Sequence, residues 1–460
     1  MNRSVAIVLA LAATRALAQG TVPYSPPAAP TQAPPAAGAP AQPGPPPAQP
    51  GGRVLSLDEA LRLGLARQPQ MQQAQANVEA ARGRVDQALA PMLPQLTGTA
   101  YYQRQSGTAS QAFNVFSGTN AKAPAVDIYS AGLTGRLLIW DFGQTPNHWR
   151  SARASERGFE SSAQATALSV ALSVRTTYFN AVAFKALVGV ARDRLTNEEK
   201  HYQQIKAFVE VGTRPQIDLV SEQANLANAR VQLIQAENNY ASARVLVEQA
   251  IGAPDLGAWD VADQTLAPIP GEVGAPVGLR QEALAARPDL SSLSQQIRAQ
   301  ELTVSSLQGG YLPSLSVMAS VAETGSTPTS LNEGWNTQVT LSWPLFQGGL
   351  TRGQVREAKA NVTALDAQLE TARQQVRVDV EQARLGVRAA AATLSAAKDA
   401  SASARQQLAL AEGRDQTGVG SVLELSDAQF ALTTALGQQV QAEFSLAAAR
   451  SQLLRALGRQ

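Results

Sequence analysis

Apolar residues recur every seven positions over most of the second half of the chain. Counting from Val355, the series runs Val362, Leu369 and Val376, then Ala383, Ala390, Ala397, Ala404 and Ala411. No proline interrupts the chain after Pro344. A strict period of seven is a coiled-coil seam, here about 57 residues or about 85 Å of helix. A second helix carries Leu425, Leu432, Gln439, Leu446 and Leu453, with Ala428, Ala435, Ala442, Ala449 and Ala456 three residues on. The first half repeats this with Leu219, Leu226, Leu233, Tyr240 and Val247, beside Ala229, Ala236, Ala243 and Ala250. Alanine on one side of a seam lets backbones approach closely. A compact bundle has little use for helices of this length.

Elsewhere the period drops to two. Val339, Leu341 and Trp343 alternate with Gln338, Thr340 and Ser342, and Leu315, Val317, Ala319 and Val321 with Ser316, Met318 and Ser320. Strands are therefore expected at Leu96–Gln105, Val126–Trp140, Leu315–Val321 and Asn336–Phe346. Most approach the roughly 9–11 residues of a membrane-spanning strand. Tyr101, Tyr102, Tyr129, Trp140 and Trp343 lie in or beside them, as an interfacial aromatic belt requires. Alternation alone fits a half-buried soluble sheet equally well. In lipid, four strands cannot close a barrel and an open edge is forbidden, so the membrane alternative forces several chains to share one barrel.

These elements are written twice. Pro69 and Leu93-Pro94-Gln95-Leu96 recur 219 residues later as Pro288 and Leu312-Pro313-Ser314-Leu315. Gly212, Gln223, Ala236-Glu237, Arg244 and Gly252 recur 206 residues later as Gly418, Gln429, Ala442-Glu443, Arg450 and Gly458. The offset changes between Ala100 and Trp140, where a longer hairpin loop in the first copy accounts for it. Each copy reads helix, strand, strand, very long helix, Gly turn, long helix. The turns are Val211-Gly212-Thr213-Arg214-Pro215 and Thr417-Gly418-Val419-Gly420-Ser421. Gly stops a helix, Pro215 suits a first helical position, and Ser421-x-x-Glu424 reads as a capping box. In the first copy, a helix of about 22 residues from Pro69 and a return helix of about 37 from Pro215 match the long helix if stacked end to end.

Composition adds the setting. Residues 1–18 read as a signal peptide, with Arg3, the apolar run Val5–Ala13 and the cleavage site Ala16-Leu17-Ala18. This export signal favours the membrane reading of the strands. Residues 19–53 are a Pro/Ala/Gly-rich linker. The first repeat covers 54–252, an equatorial linker 253–276, and the second repeat 277–460. Aromatics are only 5%, which suits alanine-rich helix seams. A net charge of +2 without a basic run gives no nucleic-acid partner. The chain has no cysteine, so it has neither disulfide nor lipidated N-terminal Cys.

The order of motifs resembles the TolC-type outer-membrane efflux family. The marks are the two Leu-Pro-x-Leu strand openings, Trp140-Asp141-Phe142-Gly143 and Leu345-Phe346-Gln347-Gly348-Gly349 closing strands, and the two Gly-containing tips. The expected fold class is an α+β membrane protein, an internally duplicated helix-strand-strand-helix-helix chain. It combines a long α-helical coiled-coil barrel with a shared transmembrane β-barrel. The resemblance implies a homotrimer with twelve strands in the lipid bilayer. It also implies docking to a periplasmic adaptor (membrane-fusion) protein and an inner-membrane efflux or ABC-type pump. The implied function is a passive exit duct that opens on docking.

No catalytic, cofactor-binding or metal-ligating constellation stands out. His148 and His201 are far apart on a helical segment and read as packing or surface residues. The residues expected to touch the adaptor are Gly212, Thr213, Arg214, Gly418, Val419, Gly420 and Ser421. Glu210, Glu412 and Asp415 are candidates for an acidic entrance ring, which would favour cations; solvated helix-end charges explain them equally well. A periplasm-spanning scaffold would not need doubled strands with aromatic ends, and an adaptor normally has one helical hairpin.

Overall fold

The computed structural model describes residues 53–105, 125–254, 256–272, 276–417 and 419–459. The expected signal peptide and nearly all of the linker lie outside them. A short strand β1 (Arg53–Leu55) leads into α1 (Leu57–Arg67) and α2 (Pro69–Leu89). Strands β2 (Gln95–Gln105) and β3 (Val126–Trp140) precede α3 (Gln144–Glu210), which returns as α4 (Gln216–Ile251). After β4 (Trp259–Val261), the order repeats as α5 (Pro276–Ala286), α6 (Pro288–Gly309), β5 (Ser314–Gly325), β6 (Asn332–Ser342), α7 (Leu350–Gln416) and α8 (Val422–Leu457). The intervals between strands, 106–125 and 326–331, place the extra loop where the offset changes.

Helices α3 and α7 each have 67 residues, about 100 Å of unbroken helix. Their companions are jointed. Helix α4 ends at Gly252, which abuts the α1/α2 junction, and α8 ends at Gly458 against the α5/α6 junction. At Gly252, φ is +66° and a Cβ would sit 2.9 Å from the Arg67 carbonyl oxygen. Only glycine fits both demands. Gly252→Ala is expected to cost about 1–3 kcal/mol, seen as a lower melting temperature by circular dichroism.

Beside this joint lies a belt that the periodicity did not reveal. Strands β1 and β4 pair in parallel, Val54 opposite Asp260. The buried Tyr178 hydroxyl on α3 lies 3.0 Å from the Leu55 carbonyl and 3.1 Å from that of Ala262, and burial pushes it up to about 12. Lys185 bridges to Asp260 at 2.9 Å, and Tyr240 donates to the same carboxylate. Trp259 donates to Glu248 at 2.7 Å. On the second copy, Arg450 holds Glu272 at 2.8 Å. Residues 256–272 thus take part in the belt, and Arg53, placed at the linker's end by composition, begins β1. Helices α1 and α5 were also not separated from α2 and α6 by periodicity. Proline opens α2 and α6, with Gln68 and Arg287 extended before them.

The elements form layers with one shared order. Toward the turns, α4 packs on α3, α3 on α8 and α8 on α7. Toward the strands, the order is α2, α3, α6, α7. The sheet runs β2-β3-β5-β6, antiparallel throughout. In each layer the first repeat supplies one outer edge (α4, α2 or β2), and the second supplies the other (α7 or β6).

Candidate functional site

The sheet has two chemically distinct faces. One carries the rows Trp140-Leu315-Leu341, Leu137-Val317-Val339 and Leu133-Val321-Trp335. The other carries Gln95-Arg136-Met318-Gln338 and Thr97-Thr134-Ser320-Asn336. Trp335 is 80% exposed and Leu341 67%, so the apolar face has no cover among the described residues. Aromatics close both ends of that face. Trp140 marks one end, and the Tyr102 and Tyr129 rings, 4.9 Å apart, mark the other. From Tyr129 to Trp140 the strand runs roughly 35 Å, which at a tilt near 45° projects to about 25 Å, the height of a lipid-facing band. No described helix is long and apolar enough to cross a membrane.

At the sheet's Trp140 end the chain turns into α3. The buried Asp141 carboxylate accepts from the Thr145 amide at 2.7 Å and so caps the helix. Phe142 and Gly143 follow in left-handed geometry, matched in the second copy by Gly348 and Gly349. At the far end of α3, Thr213 closes the turn, its amide and hydroxyl both donating to the Phe208 carbonyl at 2.9 Å. Pro215 is extended and stands one residue before α4 rather than inside it. In the second turn, the Val419 and Gly420 amides donate to the Arg414 carbonyl at 3.1 and 2.9 Å. A Cβ on Gly420 would sit 2.7 Å from the Asp415 amide nitrogen, which leaves room for glycine alone. The Ser421 hydroxyl accepts from the Glu424 amide at 3.2 Å, as a cap should, while the Glu424 carboxylate turns to Arg414 at 3.3 Å.

One contact joins the two turns. Arg214 donates to Asp415 at 2.7 Å across 201 residues of sequence. Their side chains are 18% and 6% exposed, and the guanidinium also lies 5.7 Å from the centre of the Phe208 ring. The pair is well shielded, so its partners depend on each other strongly.

A model of the family described as outer membrane efflux protein matches residues 60–253 and 279–459. The chain belongs to this family. The efflux protein is 26% identical over 410 residues to the pyoverdine export outer membrane protein OpmQ of Pseudomonas aeruginosa, covering 87% of this chain and 85% of that one. It is 25% identical to outer membrane protein TolC of Escherichia coli, covering 85% of this chain and 79% of the relative. Its fold matches the crystal structure of the Campylobacter jejuni CmeC outer membrane channel with a TM-score of 0.75 at 18% identity, covering 87% and 85% of the two chains. The efflux protein is a channel of the outer membrane with long helices in the periplasm, serving efflux or secretion and not catalysis.

Three sequence expectations change within this frame. Tyr101 lies on the polar face of the sheet, because strand alternation turns it away from Tyr102. The fourth strand stops at Ser342, since Pro344 cannot donate to a ladder. Trp343 stands just beyond it, donating to the Tyr311 carbonyl at 3.2 Å. Asp415 is held by Arg214 rather than free. Glu210 is exposed and Glu412 half-buried, neither in an ion pair among the described residues. Gly418 lies outside the described residues.

Proposed function

We propose that three copies of this chain close into one tunnel, with twelve strands in the outer membrane and a helical barrel in the periplasm. The supporting observation is the repeated pair of open edges in every layer. Among the described residues, β2 has no strand on its outer side and β6 none on the other, and lipid tolerates neither open edge. Helix α4 presents Ile217, Val220, Val231, Ile234 and Val245 to solvent, an uncovered seam at heptad spacing. Helix α7 presents Val378, Leu385 and Leu410. Pairing unlike edges is head-to-tail association, which either closes as a ring or grows without end. Three copies give twelve strands and satisfy all edges at once.

The turns form the entrance in this reading. Thr213, Arg214, Val419, Gly420 and Ser421 face the adaptor, with Gly212 and Gly418 setting the turns. The Arg214–Asp415 pair holds the entrance closed until docking strains it. Glu210 and Glu412 then favour cations near the mouth. Protein extracted from outer membranes in detergent should run as a heat-modifiable trimer by mass and give small, cation-leaning currents in planar bilayers. A monomer without currents would rule the tunnel out.

A further inference from the structure

Two buried carboxyl groups sit in the first helical hairpin where its twin has alanine. Glu198 on α3 and Glu222 on α4 are 4% and 5% exposed. At the 206-residue offset their counterparts are Ala404 and Ala428, also buried, on α7 and α8. Those alanines continue the seams of Ala397 and Ala411 and of Ala435 and Ala442. Glu222 likewise stands seven residues before Ala229, in a position the seam reserves for a small apolar side chain. The fold therefore closes this site without any charge, as the second hairpin demonstrates, and the first hairpin carries two acids there.

The partners present do not neutralise both acids. Arg194, one turn back on α3, approaches one Glu198 oxygen at 3.5 Å, while the other oxygen, Oε2, is buried without a hydrogen-bond partner. Asn225 donates to Glu222 at 3.3 Å. Around the helix, Glu199 and Lys200 are exposed and His201 half-buried; Glu199 reaches Arg230 of α4 at 3.9 Å. Helix α8 packs on α3, and its first acids are Asp427 and Glu424, the latter occupied by Arg414. Two facing carboxylates with one arginine leave an excess negative charge in a dry seam, and a proton is the smallest remedy.

We infer that Glu222 holds a proton that it donates to Glu198, a pH-sensitive staple between α3 and α4 that the second hairpin lacks. That proton supplies the partner that Glu198 Oε2 otherwise lacks. Burial, then the Glu198 carboxyl beside it, raises Glu222 from its ordinary 4.5 to about 7. A carboxyl raised on folding binds its proton more tightly in the packed hairpin than in the opened one. The staple's contribution is therefore complete below about pH 4.5 and is lost as the pH rises through about 7. Above that, two like charges push the helices apart roughly three to four turns from the Gly212 tip. This device belongs to the hairpin itself and holds for any number of copies in the ring.

Amide hydrogen exchange on the intact, detergent-extracted channel tests this, with rates corrected for intrinsic pH dependence. Protection of residues 194–230 should fall at least tenfold relative to residues 400–436 between about pH 5 and about pH 8. Glu222→Gln, whose amide donates to Glu198 at any pH, should flatten that difference. The double variant Glu198→Ala/Glu222→Ala copies the second seam and should flatten it as well. Infrared spectra at about pH 5 should contain a protonated-carboxyl band that Glu222→Gln removes. Parallel pH profiles for the two hairpins in the wild type would overturn the staple. So would a pH response that survives Glu222→Gln. Loss of the response on adding a chelator would also overturn it, because the carboxyls would then hold a divalent cation.

Discussion

Leu133→Arg will remove most of the protein from the outer membrane, while Thr134→Arg, one residue along the same strand, will leave it in place. Leu133 lies between Gly98 and Val321 on the apolar face, near the middle of the band between Trp140 and Tyr129. An arginine at mid-depth on the lipid face costs about 2–4 kcal/mol, and each copy contributes one. Thr134 lies between Thr97 and Ser320 on the polar face, where a guanidinium stays in water. The expected result is a drop of more than about tenfold in membrane-inserted protein for Leu133→Arg, measured on unheated gels of outer-membrane fractions. Comparable yields for the two variants would mean that the apolar face does not meet lipid.

Arg214→Ala should enlarge the resting conductance. The substitution leaves Asp415 with a 6% exposed side chain and no guanidinium. Removing one member of a well-shielded pair costs about 3–5 kcal/mol, because the remaining charge is stranded away from water. In the proposed gate the closed arrangement bears that cost, and an opened turn lets Asp415 hydrate. Over that range the closed-to-open ratio shifts by about two to nearly four powers of ten. Single-channel recordings should show long-lived open states in Arg214→Ala that the exchanged pair Arg214→Asp/Asp415→Arg partly reverses. Unchanged currents in Arg214→Ala would make the pair a mere surface tie.

What was legible in the sequence follows the range of the interaction that decides each element. Helices α4, α7 and α8 are written in their own heptads, α3 in its match to the second copy, and strands β2 and β3 in local alternation, so all come out close to their structural bounds. Strand β1 has three residues, too few for a period, and its partner β4 is some two hundred residues away. Its place is settled by the buried Tyr178 hydroxyl, which no local pattern encodes. The end of β6 was legible in Pro344 and was overrun because the alternation continues into Trp343. The tips could be located from Gly212 and Gly420, but the Arg214–Asp415 pairing joins distant turns and leaves no mark in either motif. Glu198 and Glu222 look like ordinary solvated charges until the two repeats are aligned on Ala404 and Ala428. The signal there is a difference between copies, visible only once the duplication is used as a comparison.

Because each copy supplies one of each kind of edge, no copy in the proposed closed ring of three is redundant. A subunit with a damaged β6 fails its neighbour as well as itself. In a cell making equal amounts of intact and edge-damaged chains that mix at random, only about one ring in eight would be wholly intact. Alleles that harm an edge should therefore be genetically dominant, whereas those that prevent export of the chain should be recessive.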